Sequence, residues 1–298
     1  MKILLYEYIT GGGLANQTIP NSLLSEGFAM LRGLSADFKT AGHNITVLLD
    51  LRLKPIKDFL EANEIVYVSS DVMQLLPSLL PAVDAVFVVA PESENILSLI
   101  VNFVEKQNVI SLNCSSKAIE QASDKAKLSK RINKLGLKTP QTFLFKTENT
   151  NKIIQTLKGK IEFPVIVKPV NGAGCTDLVL INQENQLIEV IHEIKSKHTH
   201  VLIQKLIEGI PVSVSLFSNG YLASPISLNK QEINLSSSIN SSSSCYNGGL
   251  VPFEDQRKQD AYSIAKQVVE SYKGLKGYVG VDLILAKERF SYEEEQLH

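Results

Sequence analysis

Two short stretches of this 298-residue chain combine residue types that can do chemistry. In the first, the apolar run Phe163-Pro164-Val165-Ile166-Val167 ends in Lys168 and is followed by Pro169 and by Asn171-Gly172-Ala173-Gly174. A lysine at the mouth of a small glycine loop suits a phosphate chain, because backbone amides cradle the oxygens and the ammonium adds a point charge. In the second, Asp282 stands inside Tyr278-Val279-Gly280-Val281-Asp282-Leu283-Ile284-Leu285. A carboxylate within an apolar strand is costly unless it is paired or holds a cation, so Asp282 is the residue that most directly suggests a metal.

A third stretch, Thr10-Gly11-Gly12-Gly13, follows the first apolar run and precedes Asn21 and Ser22, which are candidate caps for a helix through Leu23, Leu24, Phe28 and Leu31. It reads either as an anion-binding turn at a helix N-terminus or as a plain flexible turn. It is not G-x-G-x-x-G, so it gives little support to a dinucleotide site.

The elements that must position these residues follow from the apolar periodicity. Ile3 to Tyr6, Ile45 to Leu49, Ile65 to Val68 and Ala85 to Val89 are strand-length runs, each separated from the next by enough chain for a helix or crossover. That alternation predicts an α/β domain with a mostly parallel sheet over roughly the first 110 residues. After Asn113 the character changes. Ser115 to Gln121 and Ser123 to Leu135 predict two short helices, the second opened by Ser123 and Asp124 and closed by Gly136. Val201 to Gln204 predicts a strand, and Val212 to Phe217, Asn219-Gly220 and the residues from Tyr221 predict a hairpin. The Ser- and Asn-rich tract between Leu235 and Cys245 predicts a loop, and Asp255 to Tyr272 an amphipathic helix.

Composition narrows the class. At about 150 residues per domain the length allows two domains. Thirty Lys and Arg against 31 Asp and Glu leave a formal charge of -1, which gives no reason to expect a nucleic acid or an anionic membrane as partner. Three dispersed cysteines, Cys114, Cys175 and Cys245, fit neither a disulfide framework nor a C-x-x-C metal site. The apolar start is interrupted at Glu7, and no segment reaches about 18 uncharged apolar residues. We therefore expect a cytoplasmic protein, neither exported nor inserted in a membrane.

Taken in order, Asp124-Lys125, the Gly136 to Pro140 segment, FPVIVKPVNGAG, VLIQKLIEGIPVSVS and GYVGVDLIL resemble the ATP-grasp superfamily of carboxylate-amine ligases. YEYITGGG, Ser25-Glu26-Gly27, GAGC and Tyr246-Asn247-Gly248-Gly249 with Pro252 resemble, within it, the group containing tyramine-glutamate ligase of methanofuran biosynthesis. The resemblance implies a pre-ATP-grasp α/β domain at 1–112 and an ATP-grasp domain of two α+β subdomains at 113–298, with the lid at about 124–204 and the C-terminal subdomain at about 205–298. It implies ATP and Mg²⁺ as cofactors, with Mn²⁺ as an alternative metal, small carboxylate and amine substrates, and a homodimer as the assembly to test.

Residue by residue, the resemblance assigns Lys125 and Lys168 to the nucleotide phosphates as the charge-neutralising catalytic groups. It places Gly172, Ala173 and Gly174 in the loop over those phosphates, and Gln204, Lys205, Leu206 and Ile207 along the adenine. The family often has an acidic residue where this chain has Gln204, and an acidic ribose contact near Pro211. Asp282 matches a magnesium ligand. The E-x-N-P-R-like motif that normally completes the metal site does not occur before His298, so we expect a chain truncated relative to the family, with Glu295 as the nearest stand-in. Glu7, Thr10 and Glu26 are the residues to test for substrate contact. The implied activity is ATP-dependent joining of L-glutamate to tyramine through an acyl phosphate. The alternatives are an ATP-binding protein without turnover and a truncated relic.

Overall fold

The computed structural model describes residues 1–170, 175, 177–238 and 244–287. It divides into two compact units. One comprises Met1–Asp124 with Ser218–Tyr221 and Tyr272–Gly277, and the other comprises the remainder.

In the first unit, strands β1 (Lys2–Glu7), β2 (Asn44–Asp50), β3 (Glu64–Val68), β4 (Ala85–Val89) and β5 (Ile110–Ser111) form a parallel sheet in the order β3-β2-β1-β4-β5. Helices α1 (Asn21–Thr40), α2 (Val72–Leu79), α3 (Ile96–Glu105) and α4 (Ser116–Ser123) complete it. Alternate residues of β1 serve opposite faces. Ile3 and Leu5 pack with Leu31 of α1, whereas Leu4 and Tyr6 pack with Leu76 of α2 and Val101's neighbours Ile100 and Val104 of α3. This is the doubly covered parallel sheet that the four apolar runs predicted.

Three local expectations are corrected here. Asn21 is the first helical residue of α1, with Pro20 at the cap position and no side-chain cap, because the fixed proline φ already sets the extended entry into the helix. Ser123 ends α4 instead of opening the next helix; Ser115 caps α4 by accepting from the Ala118 amide, and Asp124 is extended. The expected two-residue turn at Asn219-Gly220 is a three-residue connection, since the first strand of that hairpin runs through Asn219 and the next starts at Ala223.

The second unit contains two four-stranded sheets. Strands β6 (Thr142–Lys146), β7 (Val165–Pro169), β8 (Val179–Ile181) and β9 (His200–Lys205) pair antiparallel in the order β6-β9-β7-β8. Helix α5 (Lys125–Lys134) precedes this sheet, and α6 (Thr150–Leu157) and α7 (Glu184–Ile194) cover one face of it. Val165, Val167, Val201 and Ile203 point into that covered face and meet Ile153, Leu187 and Ile191. With a strand period of two, Ile166, Lys168, Leu202 and Gln204 must point the other way.

Strands β10 (Gly209–Asn219), β11 (Ala223–Asn234), β12 (Cys245–Leu250) and β13 (Lys276–Ala286) form the other sheet, ordered β12-β11-β10-β13. Helix α8 (Lys258–Glu270) packs on β11, burying Ala261, Ala265 and Val268. Val212, Val214 and Leu216 of β10 are buried, while Ser213 and Ser215 face the opposite side with Asn229 of β11 and Tyr278 of β13. Among the described residues, no helix is long and apolar enough to cross a membrane.

Candidate functional site

Lys168 is the penultimate residue of β7, one of the two inner strands, on the sheet face opposite α6 and α7. The register pairs Lys168 with Leu202 and Ile166 with Gln204, so Gln204 is the diagonal neighbour of Lys168 on that face. Lys168 Nζ donates to Gln204 Oε1 at 2.9 Å. Gln204 Nε2 donates in turn to Thr142 Oγ1 at 2.8 Å, and Thr142 Oγ1 donates to the Pro140 carbonyl at 2.8 Å. Thr142 lies directly opposite Gln204 across the β6–β9 pairing. A row of polar groups from three adjacent strands therefore holds the ammonium in place.

That ammonium is poorly solvated. Burial is the largest influence on Lys168; Lys125 adds to it and Asp282 opposes it, and together they bring its pKa down to about 8. Lys125, the first residue of α5, and Asp282 thus lie close enough to Lys168 to act on it. Two cations and one carboxylate from α5, β7 and β13 thus influence one another electrostatically within a single unit.

Asp282 stands in β13, the strand expected from the sequence. Among the described residues β13 is an edge strand, and its side chains alternate mostly between half-buried and exposed positions, with Asp282 among the exposed. Water reaches the side chain, so burial alone does not require a cation there. Enough protein surrounds it that desolvation still pushes its carboxyl up, against a hydrogen bond from Gln231 and the two lysines. Gln231 Nε2 donates to Asp282 Oδ1 at 3.0 Å, reaching from β11 across the intervening strand β10.

A single oxygen-donor carboxylate facing solvent suits Mg²⁺, which commonly takes one or two protein carboxylates and fills its remaining positions with phosphate oxygens and water. Among the described residues there is no group of three His, Cys, Asp or Glu side chains that could hold a metal by themselves. Glu295, Gly172, Ala173 and Gly174 lie outside the described residues.

In the segment 204–207, for which the sequence resemblance implies adenine contact, Gln204 is committed to Lys168 and Thr142. The Lys205 amide donates to Gln141 O at 2.9 Å and the Leu206 amide to Pro164 O at 3.3 Å, so neither donates to a base without giving up that bond. Lys205 Nζ lies 3.6 Å from Glu162 in an exposed pair, and Ile207 is half-buried.

Within the first unit, the structure resolves the two readings of the glycine turn. Glu7 is buried, and its carboxylate accepts from the Ile9 amide at 3.1 Å, the Thr10 amide at 2.7 Å and Thr10 Oγ1 at 2.6 Å. The amides of Gly11 and Gly13 donate to the carbonyls of Glu7 and Tyr8, both at 2.8 Å. The anion held by this turn is the protein's own. A Cβ on Gly11 would stand 2.5 Å from Glu7 O, so the turn is close-packed and not merely flexible. Glu7 and Thr10 are thus brought together and spent on each other, whereas Glu26 is exposed on α1.

Sequence reasoning did not single out Thr142 or Gln231. A threonine in β6 carries no signal until the register sets it opposite Gln204. Gln231 has none until β10 brings β11 and β13 to either side of itself.

The second unit holds two four-stranded sheets and carries Lys125, Lys168 and Asp282 on α5, β7 and β13. The ATP-grasp domain family matches residues 122–292, more than half of the chain, and the pre-ATP-grasp domain family matches 43–119. The chain belongs to the ATP-grasp family of carboxylate-amine ligases.

It is 30% identical over 296 residues to tyramine–L-glutamate ligase of Methanocaldococcus fervens, covering 98% of this chain and 84% of that one. It is 30% identical over 287 residues to the Methanocaldococcus jannaschii protein of the same name, covering 95% and 77%. Among solved structures, an ATP-grasp superfamily protein from Archaeoglobus fulgidus superposes with a TM-score of 0.69 at 25% identity, over 97% of this chain and 78% of that one. The D-Ala:D-Ser ligase VanG of Enterococcus faecalis shares the fold, with a TM-score of 0.66 at 13% identity over 96% and 86%.

Proposed function

We propose that this chain is an ADP-forming ligase that activates a carboxylate, L-glutamate first among candidates, and joins it to an amine, tyramine first among candidates. The observation that carries this reading is the convergence of Lys168, Lys125 and Asp282 in one unit, with Lys168 fixed by Gln204. The names of the two Methanocaldococcus relatives support the choice of substrates.

A free carboxylate resists attack because its charge repels nucleophiles and its oxygen leaves badly. Transfer of the γ-phosphoryl group to it gives an acyl phosphate and ADP, and the amine then displaces phosphate. Such chemistry asks the protein mainly to position reactants and neutralise charge. Lys168 and Lys125 offset the phosphate charge, and Gly172, Ala173 and Gly174 are the residues to which the resemblance gives a role over the phosphates. Mg²⁺ held by Asp282, with Glu295 as the second acid to test, supplies charge neutralisation at the phosphates when bound. Under this reading the division at 112/113 separates the pre-ATP-grasp domain from the ATP-grasp domain, and the protein works in the cytoplasm.

The test is ADP release from purified protein with Mg-ATP and L-glutamate, with and without tyramine, beside calorimetric ATP binding. Amine-dependent ADP release is expected. ATP binding without ADP release would overturn ligation in favour of nucleotide binding alone, and absence of ATP binding would overturn both.

A further inference from the structure

Cys175 and Cys245 are far apart in sequence, yet the fold stitches their neighbourhoods together. The Leu178 amide donates to Cys175 O at 3.2 Å, and Leu178 O accepts from Ser244 Oγ at 2.6 Å, one residue before Cys245. Ser244 Oγ also accepts from the Ser236 amide at 2.9 Å, and Ser236 O accepts from the Leu180 amide at 2.8 Å. The start of β12 is thereby pinned beside the segment that leads from Cys175 into β8.

Both cysteines are free thiols with part of their surface in solvent. Cys175 and Asp177 have left-handed backbone, with φ of +64° and +53°, an uncommon state for residues with a Cβ. Asp177 is held there by His198 at 2.8 Å and Lys197 at 3.3 Å. The third cysteine, Cys114, belongs to the other unit, where its Sγ donates to Lys276 O at 3.1 Å.

We propose that Cys175 and Cys245 are a redox-active dithiol that closes into a reversible intrachain disulfide. The oxidant is a low-molecular-weight disulfide, RSSR. The Cys245 thiolate attacks one of its sulfurs and expels RS⁻, leaving a mixed disulfide on Cys245. Cys175 then gives up its proton to water and attacks the Cys245 sulfur, expelling the second RS⁻. Two protein thiols become one disulfide, and RSSR takes up two electrons and two protons to become two RSH. Burial pushes the Cys175 thiol up, and the charges of Cys245 and Asp282 add to this, which assigns Cys175 the second, resolving step.

Asp282 acts on Cys175 electrostatically, so the pair lies near the carboxylate assigned above to Mg²⁺. Resting on that assignment, the oxidised protein should bind Mg-ATP about tenfold or more weakly, a difference of about 1.4 kcal/mol.

The experiment exposes the full chain to oxidised glutathione and maps its peptides without reduction. A Cys175–Cys245 linkage that dithiothreitol reverses is expected, and it should persist in Cys114→Ser. Cys175→Ser and Cys245→Ser should each leave the remaining thiol as a glutathione mixed disulfide. Wild-type protein in which Cys175 and Cys245 stay free, or carry separate glutathiones, overturns the proposal. Equal Mg-ATP affinity of the two redox forms overturns its link to the nucleotide. Failure of the reduced protein to bind Mg-ATP instead overturns the function proposed above and leaves the disulfide standing.

Discussion

Gln204 Oε1 accepts the hydrogen bond of Lys168 Nζ at 2.9 Å, with a neutral amide in a place where the family often has an acid. A carboxylate there would hold the lysine proton tightly. The amide orients the ammonium without neutralising it, which leaves its charge available to a phosphate.

Replacing Lys168 with Ala should weaken ATP binding about 10–100-fold, the range expected for one hydrogen bond to a charged group at about 1.5–3 kcal/mol. Calorimetric titration with ATP checks this, and unchanged affinity would remove Lys168 from the site.

The low pKa of Lys168 makes binding pH-dependent. Its ammonium is present below about 8 and lost above, so ATP affinity should fall as pH rises through about 8. Phosphate contact restores the proton, so binding between about 8 and the ordinary lysine value of 10.5 should take up a proton, visible by calorimetry in buffers of different ionisation enthalpy. Gln204→Glu should raise the lysine pKa and abolish that uptake near pH 8.

The same shift has a stability consequence of opposite direction. Between about 8 and 10.5 the folded protein holds fewer protons at Lys168 than the unfolded chain does, so unliganded protein should gain stability as pH rises across that window. Urea melts of wild type and Lys168→Met should diverge in slope there; parallel curves would contradict the burial of this ammonium.

Asp282→Asn should reduce the magnesium dependence of ATP binding by more than the ~10–100-fold typical of losing an outer partner. Gln231→Leu removes the hydrogen bond that counteracts desolvation of Asp282, so its carboxyl should rise further and magnesium binding weaken first at mildly acidic pH. Magnesium titrations at two pH values distinguish the two variants.

Glu7→Gln replaces an acceptor that faces three donors with a group that itself donates, at a site where α1 presses Gly27 against the carboxylate. A loss of about 1–3 kcal/mol in unfolding free energy is expected. Glu26→Gln, on the exposed face, should leave stability unchanged, and a rise in KM for the carboxylate in that variant would mark it as a substrate contact.

The sequence by itself determined strands β1 to β4, because a strand-length apolar run buries itself as part of a sheet or a short core element, and these strands fall on the four runs it displays; β5, β6, β8 and β12 were not legible in it. It also singled out Lys168 and Asp282, since a charge ending or interrupting such a run stands out from its neighbours. The nature of the turn at Thr10-Gly11-Gly12-Gly13 was decided only by the tertiary structure. Glycines that admit an anion and glycines that admit a packed side chain look alike in sequence, and the difference lies in Glu7 folding back onto the amides of Ile9 and Thr10. Thr142, Gln231 and the hydrogen bond from Ser244 to Leu178 likewise depend on strand register and sheet order. Those pairings bring together residues tens to scores of positions apart, and no local pattern encodes a partner at that distance.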